Sequence, residues 1–193
     1  MKCISSATLL ALTLSSSLAF ASDNYSVDSE ASSISFATIK KSYIVEPATI
    51  SGIEGSVDAS GKFSVTAPLS TISTGVPIRN QRLNDLFFDS KKFPMLKVEG
   101  QVSMQDLDKS GALLQQSIPA TVTLFGNTKE VTLDMNVIKD DDNIFAFTYK
   151  PVVISAATFG IPEANLKAVS ETVGNIDISS TVPVNVSLVF KEK

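Results

Sequence analysis

Neither histidine nor tryptophan occurs among the 193 residues, and the single cysteine is Cys3, close to the N-terminus. Such a chain cannot build a Ser-His-Asp triad, a Cys-His pair, a thiolate zinc site or an intrachain disulfide. Its stability has to come from an ordinary apolar core, which a single domain of this length can bury. Basic charge is also scarce: 16 Lys and Arg stand against 20 Asp and Glu, without a basic run. That balance excludes the electrostatic footprint of a nucleic-acid-binding protein. It also gives the chain as a whole no attraction to anionic membrane surfaces. Tyrosine is rare too, at three, so the two aromatic girdles of a membrane-spanning barrel cannot be well built.

What is present begins with an export signal. Lys2 precedes an apolar run over residues 4–20 that is diluted with Ser and Thr, and Ala19-Phe20-Ala21 has the small-x-small form of a cleavage site. The expected mature chain is residues 22–193, one domain in the periplasm, without internal repeat, low-complexity tract or linker.

Period-two alternation dominates that domain. Ile178, Val182, Val184, Val186, Leu188 and Phe190 alternate with polar residues such as Asn185 and Ser187, so one face of this last strand is buried. Pro183 inside the run marks a bulge or a strand edge. Ile118 to Leu124 and Val131 to Val137 alternate likewise, joined by the hairpin signal Phe125-Gly126-Asn127-Thr128. Residues 139–143 turn the chain towards Phe145, Phe147 and Tyr149. Near the start, Tyr25 and Val27, then Ile34 and Phe36, read as strands. Ile53 and Val57 face Phe63 and Val65 across an Asp58-to-Lys62 turn. About eight evenly spaced strands of this kind define an antiparallel barrel or sandwich.

One stretch breaks the alternation. In residues 79–100, Leu83, Leu86 and Phe87 share a helical face, with Arg79, Arg82 and Asp85 on the polar side. Pro94 ends any helix there, and alternation resumes at Leu96, Val98 and Val102. A second short helix is expected after Pro162, through Leu166 and Val169, with Gly174 near its end.

Candidate chemistry is thin. Asp140-Asp141-Asp142 offers oxygen ligands for calcium, but lacks the spaced ligands and internal glycine of a binding loop and reads as a solvated hairpin tip. The pairs Asp106 and Asp108, and Glu163 and Glu171, are the acid–base candidates, and nothing in the sequence brings either to a cleft. Arg79 and Arg82 are suited to clamp an anionic headgroup; pairing with Asp85 or simple solvation is the plainer account. Lys40-Lys41 reads as an exposed strand end. Phe87, Phe88 and Phe93 either pack the helix on the sheet or cap an apolar cavity, since an eight-stranded barrel is either filled or just wide enough for one slim ligand.

The segment RNQRLNDLFFDSKKFPMLKVEG resembles the YceI-like family of exported bacterial proteins, in which an R-x-x-x-L helix precedes F-D-x-x-x-[FY]-P and a strand. Here those positions are Arg79, Leu83, Phe88, Asp89, Phe93 and Pro94. TVTLFGNTKEVTL and the segment from Ile154 to Phe190 are similar to further family segments. The resemblance implies a mainly β fold: a single elongated eight-stranded antiparallel, lipocalin-like barrel with one or two short helices. It implies a polyisoprenoid or other long-chain amphiphilic lipid in the lumen, head near the mouth, without chemistry or cofactor. The sequence departs from the family in having no histidine near the first strands, where it reads Ser32-Ser33-Ile34-Ser35-Phe36. The expected ligand-binding lining is Phe36, Val98, Leu133, Phe147, Ile178 and Val184. Phe88 and Phe93 join it near the helix junction. A soluble monomer or homodimer carrying lipid is thus expected. The competing readings are an integral outer-membrane barrel of eight strands and an enzyme acting on a lipid derivative.

Overall fold

The alternating stretches become eleven strands in the computed structural model of the protein, which describes residues 23–110, 113–140 and 142–193. The expected signal, residues 1–21, lies outside the described residues. The strands are β1 (Asp23–Val27), β2 (Ser33–Lys40), β3 (Ile44–Ile50), β4 (Glu54–Asp58), β5 (Lys62–Pro68) and β6 (Met95–Gln101). After them come β7 (Leu114–Leu124), β8 (Asn127–Asp140), β9 (Asn143–Thr148), β10 (Val152–Ser155) and β11 (Thr181–Glu192). Three short helices interrupt them: α1 (Pro77–Arg82), α2 (Met104–Ser110) and α3 (Glu163–Glu171).

Pairing shows that three staves of the barrel are broken strands. β11 binds β1 through Phe190 and its neighbours and β2 through Val184 to Ser187, so β1 and β2 succeed each other along one edge. On its other edge β11 binds β9 and then β10. β4 pairs β1 and β3 pairs β2. Eight antiparallel staves therefore close on themselves in chain order, each beside its sequence neighbour and the last beside the first. The barrel, not the sandwich, is the outcome. Closure leaves no free edge along the lower barrel.

Each stave sends alternate residues inward. On β7, Ile118, Val122 and Leu124 are buried, whereas Gln115, Ser117 and Pro119 are exposed. On β6, Leu96 and Val98 face in, between Lys97 and Glu99, whose side chains ion-pair across the outside at 3.0 Å. An apolar interior under a polar outer face is the reverse of a transmembrane barrel, which is apolar outside. No helix among the described residues is long and apolar enough to cross a membrane.

Two strands were not foreseen, and proline explains one of them. β3 contains Pro47, opposite Ala37 of β2. Its other edge makes only the isolated bridge from Thr49 to Ser73, so the missing N–H costs no ladder bond. Pro183 is tolerated similarly. It opposes Val153 of β10, and β2 first pairs one residue later at Val184.

The two poles differ. One carries the β4–β5 turn, α2 and both described chain ends; the other carries the β2–β3 hairpin, the connection 69–94, the β7–β8 turn and the connection 156–180. In the β4–β5 turn the Asp58 carboxylate accepts from the Ser60 N–H (2.8 Å), the Ser60 hydroxyl (2.6 Å) and the Lys62 N–H (3.0 Å). Those donors, the Ser60 hydroxyl foremost, hold its carboxyl below the usual carboxylate range. A lowered acid contributes stability that is complete above its unfolded value and is lost as pH falls through its folded value. Asp58→Asn is therefore expected to lower the urea midpoint at neutral pH and to narrow the gap from wild type at about pH 3.

Candidate functional site: an apolar cavity with a polar mouth

Inside the barrel runs a cavity of about 330 Å³. Its wall is built from inward positions of the staves, including Ile34 and Phe36 of β2, Leu133 and Met135 of β8, and Val186 and Leu188 of β11. The floor is formed by Val102, Ile144 and Phe190. At that pole Tyr25 is buried, and α2 adds the buried Leu107. The Ser103 hydroxyl accepts the Asp106 N–H at 3.3 Å and starts α2. Asp108 of α2 pairs with Lys139 of β8 at 2.5 Å, which raises the lysine's pKa.

At the other pole two helical segments lie across the opening. Pro77 occupies the first turn of α1, a position that needs no N–H donor. Ahead of it, the Asn80 side-chain oxygen accepts from the Thr74 N–H (2.9 Å) and the Thr74 hydroxyl (2.6 Å). The helix then widens over residues Leu83–Phe87, where the Phe88 N–H reaches the Leu83 carbonyl at 2.9 Å, five residues back. One extra residue in that turn changes which side chains face the lumen. Leu83, Phe87 and Phe88 line the cavity, and Leu86 does not. This corrects the expected face of Leu83, Leu86 and Phe87, which assumed an unbroken α-helix. The Phe87 and Phe88 rings meet edge to face at 4.7 Å. Across from them α3 supplies Leu166 and Val169 to the wall. Its Asn165 amide donates to the Phe87 carbonyl at 2.9 Å, tying the two segments together.

Among the described residues, polar side chains reach the cavity at this pole alone: Thr38, Lys40, Arg79, Arg82, Ser179 and Ser180. Glu46 of β3 stands between Lys40 (2.5 Å) and Arg79 (2.8 Å), with all three side chains at most 24% exposed. Arg79 thus fastens α1 to the unpaired edge of β3 instead of pairing with Asp85, whose nearest cation is Lys91 at 3.9 Å. The Arg82 guanidinium makes no ion pair or hydrogen bond among the described residues. The mouth therefore carries three cations and one carboxylate.

Of the eight residues expected at the wall, Phe36, Phe88, Val98, Leu133, Ile178 and Val184 lie there. Two do not. Phe147 pairs with Ser187 and Asn136, on the outer face, because directly paired residues share a side of the sheet. The inward residues of β9 are its neighbours Ile144 and Ala146. Phe93 is displaced too. Pro94 directs the chain back to β6, and the Phe93 ring stacks on Phe125 at 4.2 Å, close over Gly126 and outside the lumen. Ser179, Ser180 and Thr38 at the mouth went unread. Nothing local distinguishes them from other strand-end hydroxyls.

The acid–base candidates are not brought to the cavity. Asp106 and Asp108 sit on α2 beyond the floor, and Glu163 and Glu171 are exposed on α3. Among the described residues no three carboxylates, histidines or cysteines cluster as a metal site.

Closed staves, an apolar lumen, a sealed floor and a helix-covered mouth define a lipocalin-like barrel, the class whose interior admits one slim ligand. The chain belongs to the YceI-like domain family, whose profile matches residues 25–190. Several solved structures share the fold. A polyisoprenoid-binding domain from Saccharophagus degradans implicated in plant cell wall breakdown is 23% identical, with a TM-score of 0.83 over 89% of this chain and 100% of its own. BcnA of Burkholderia cenocepacia is 14% identical, with a TM-score of 0.61 over 84% of this chain and 98% of its own. The Campylobacter jejuni YceI protein is 19% identical, with a TM-score of 0.52 over 76% and 84%. No curated protein matches the chain in sequence. Identities this low establish a common fold.

Proposed function

We propose that the protein is an exported, periplasmic carrier that holds one polyisoprenoid or similar long-chain lipid, apolar chain in the lumen and polar head at the mouth. The observation that carries this reading is the segregation of the lining: apolar from the floor upward, with all six polar residues at the open pole. A headless hydrocarbon would need no such mouth, and a polar metabolite would find no partner below it. The polyisoprenoid binding named for the Saccharophagus degradans domain supports the same reading. Enclosing ten to fifteen methylene equivalents is worth roughly 8–12 kcal/mol before association costs. The wall supplies the affinity and the cations orient the head. The amine and hydroxyls that reach the cavity are Lys40, which is ion-paired to Glu46, and Thr38, Ser179 and Ser180 at the mouth. The chain has no histidine to activate them, which favours binding over catalysis.

The deciding experiment is native purification from the source cell followed by organic extraction and mass spectrometry. An isoprenoid-containing lipid at near one per chain is expected. An extract free of lipid, together with failure of the purified protein to take up solanesol from detergent, overturns the proposal. Arg82→Gln is expected to weaken uptake of an anionic-headed isoprenoid by roughly tenfold and of the neutral alcohol by much less, in proportion to a lost charge-assisted contact.

A further inference from the structure

The rim around the mouth has a composition that lipid binding in the lumen does not require. At the tip of the β2–β3 hairpin Tyr43 is 76% exposed, and Val45 beside it is 61% exposed. Ile44, Val76 and Ile78 are also exposed large apolar residues, and the last two border the cavity opening itself. Val76 and Ile78 border the aperture, and the hairpin carrying Tyr43, Ile44 and Val45 stands beside it through Lys40, so these are not singly scattered surface residues.

The hairpin is held in an unusual backbone to present them. Lys41 (φ 50°) and Ser42 (φ 65°) are both left-handed, although neither is glycine. The Lys41 N–H is fastened to the Asp177 carbonyl at 2.9 Å, and the Tyr43 N–H to the Lys40 carbonyl at 3.1 Å. A tip of glycine or asparagine would turn with less strain. Here the turn carries the exposed Lys41 and, two residues on, the exposed Tyr43.

Charge at this rim also departs from the chain's acidic total. Immediately around the aperture Lys40, Lys41, Arg79 and Arg82 stand with Glu46 and Asp177, an excess of cations, while α3 beside it carries Glu163 and Glu171 against Lys167. At the opposite pole Asp58, Asp106, Asp108, Asp140, Asp142 and Glu192 outnumber Lys62, Lys139, Lys191 and Lys193. A molecule with this polarity turns its mouth, not its floor, towards a negatively charged plane.

We infer that the mouth rim is a membrane-docking surface: Tyr43 and Val45, with their apolar neighbours, enter the interface of an anionic bilayer while Lys41 and Arg82 meet lipid phosphates, so that lipid passes between bilayer and lumen without crossing water. This rests on the lipid-carrier reading of the same cavity. Tyrosine suits that depth, with an apolar ring and a polar tip, and a basic rim with apolar side chains is the composition of surfaces that lie on membranes without spanning them.

The test compares wild type with the double variant Tyr43→Ser/Val45→Ser. Neither residue lines the cavity, and both proteins carry the same N-terminus, so any contribution from residues 4–20 cancels. Flotation uses vesicles of equal parts phosphatidylcholine and phosphatidylglycerol, with pure phosphatidylcholine vesicles as comparison. Uptake of solanesol is followed in parallel from those vesicles and from dodecyl maltoside micelles. Wild type is expected to float with the anionic vesicles, less at high salt, and the variant to bind roughly tenfold more weakly. The variant's uptake from vesicles should slow by a similar factor, while uptake from micelles stays at the wild-type level. Equal flotation and equal vesicle uptake by the two proteins overturn the docking proposal. So does a wild-type dimer in solution that the substitutions dissociate, since a second copy would then be the occupant of the rim. Failure of both proteins to load from micelles removes the lipid-carrier reading and this one with it.

Discussion

Replacing Ala146 with phenylalanine is expected to stabilise the empty protein and to abolish lipid loading. Ala146 lies at the cavity wall on β9, and its cross-strand partners Val137 and Leu188 are also wall residues. A ring at this position projects into space that is vacant, so the usual penalty for overfilling a close-packed core is small. Burying most of a phenylalanine side chain is worth about 1.5–3 kcal/mol, less the entropy of fixing it. A net gain of about 1 kcal/mol would raise the melting temperature by roughly 2–4 °C in a domain of this size. The same ring removes volume the lipid chain needs, and binding should fall by more than about 100-fold because displaced methylenes cannot find another apolar wall. Thermal melts and extraction of bound lipid read the two effects separately. Phe147→Ser, one residue along, is the control: it faces outward and should leave loading within about twofold. Normal loading by the Ala146 variant would mean that the lumen is not the ligand site. Loss of loading by a folded Phe147 variant would mean that the faces of β9 are reversed.

That adjacent pair also shows where sequence reading stops. Strand phase is legible when polar residues mark one face, as Asn185 and Ser187 do on β11, and Val184 and Val186 were placed correctly between them. On β9 both faces carry apolar side chains. Phe145 and Phe147 outweigh Ile144 and Ala146 by size, and a one-residue slip moves every side chain to the other face. The helix at the mouth fails for a related reason. A 3.6-residue period puts Leu86 inward, and the wider turn at Leu83–Phe87 puts Phe88 there instead. The Phe93-Pro94 exit was recognised from its family pattern, but the Phe93 ring packs on Phe125, a partner that local spacing cannot name. Glu46, which bridges Lys40 and Arg79, was invisible because the strand bearing it contains Pro47. Hairpin turns, by contrast, were readable from their own residues: Phe125 and Gly126 both adopt positive φ, as a two-residue connection requires.

Gly61→Ala is expected to be the most destabilising single-methyl change in the described chain, at roughly 3 kcal/mol. Gly61 has φ +82°, and a methyl group built on it would stand 1.9 Å from the Val102 carbonyl oxygen. The space cannot be found by moving a side chain, because that oxygen belongs to backbone. The approach is fixed from both sides: the Gly61 N–H bonds the Asp58 carbonyl, and the Val102 N–H bonds the Gly61 carbonyl, each at 2.9 Å. Positive φ alone would cost about 1 kcal/mol, the loss expected for Gly75→Ala, where φ is +73° and nothing lies within 4 Å. The difference between the two variants therefore isolates the close approach. Urea denaturation should separate them by about 2 kcal/mol, and thermal midpoints by roughly 4–8 °C. The consequence reaches the cavity, because Val102 is part of its floor and leads directly into α2. Any of the Gly61 variant that remains folded has to shift Val102 and open the floor, so bound lipid should exchange faster from it than from the Gly75 variant at matched stability. Equal exchange rates would show that the β4–β5 turn supports the fold without sealing the lumen.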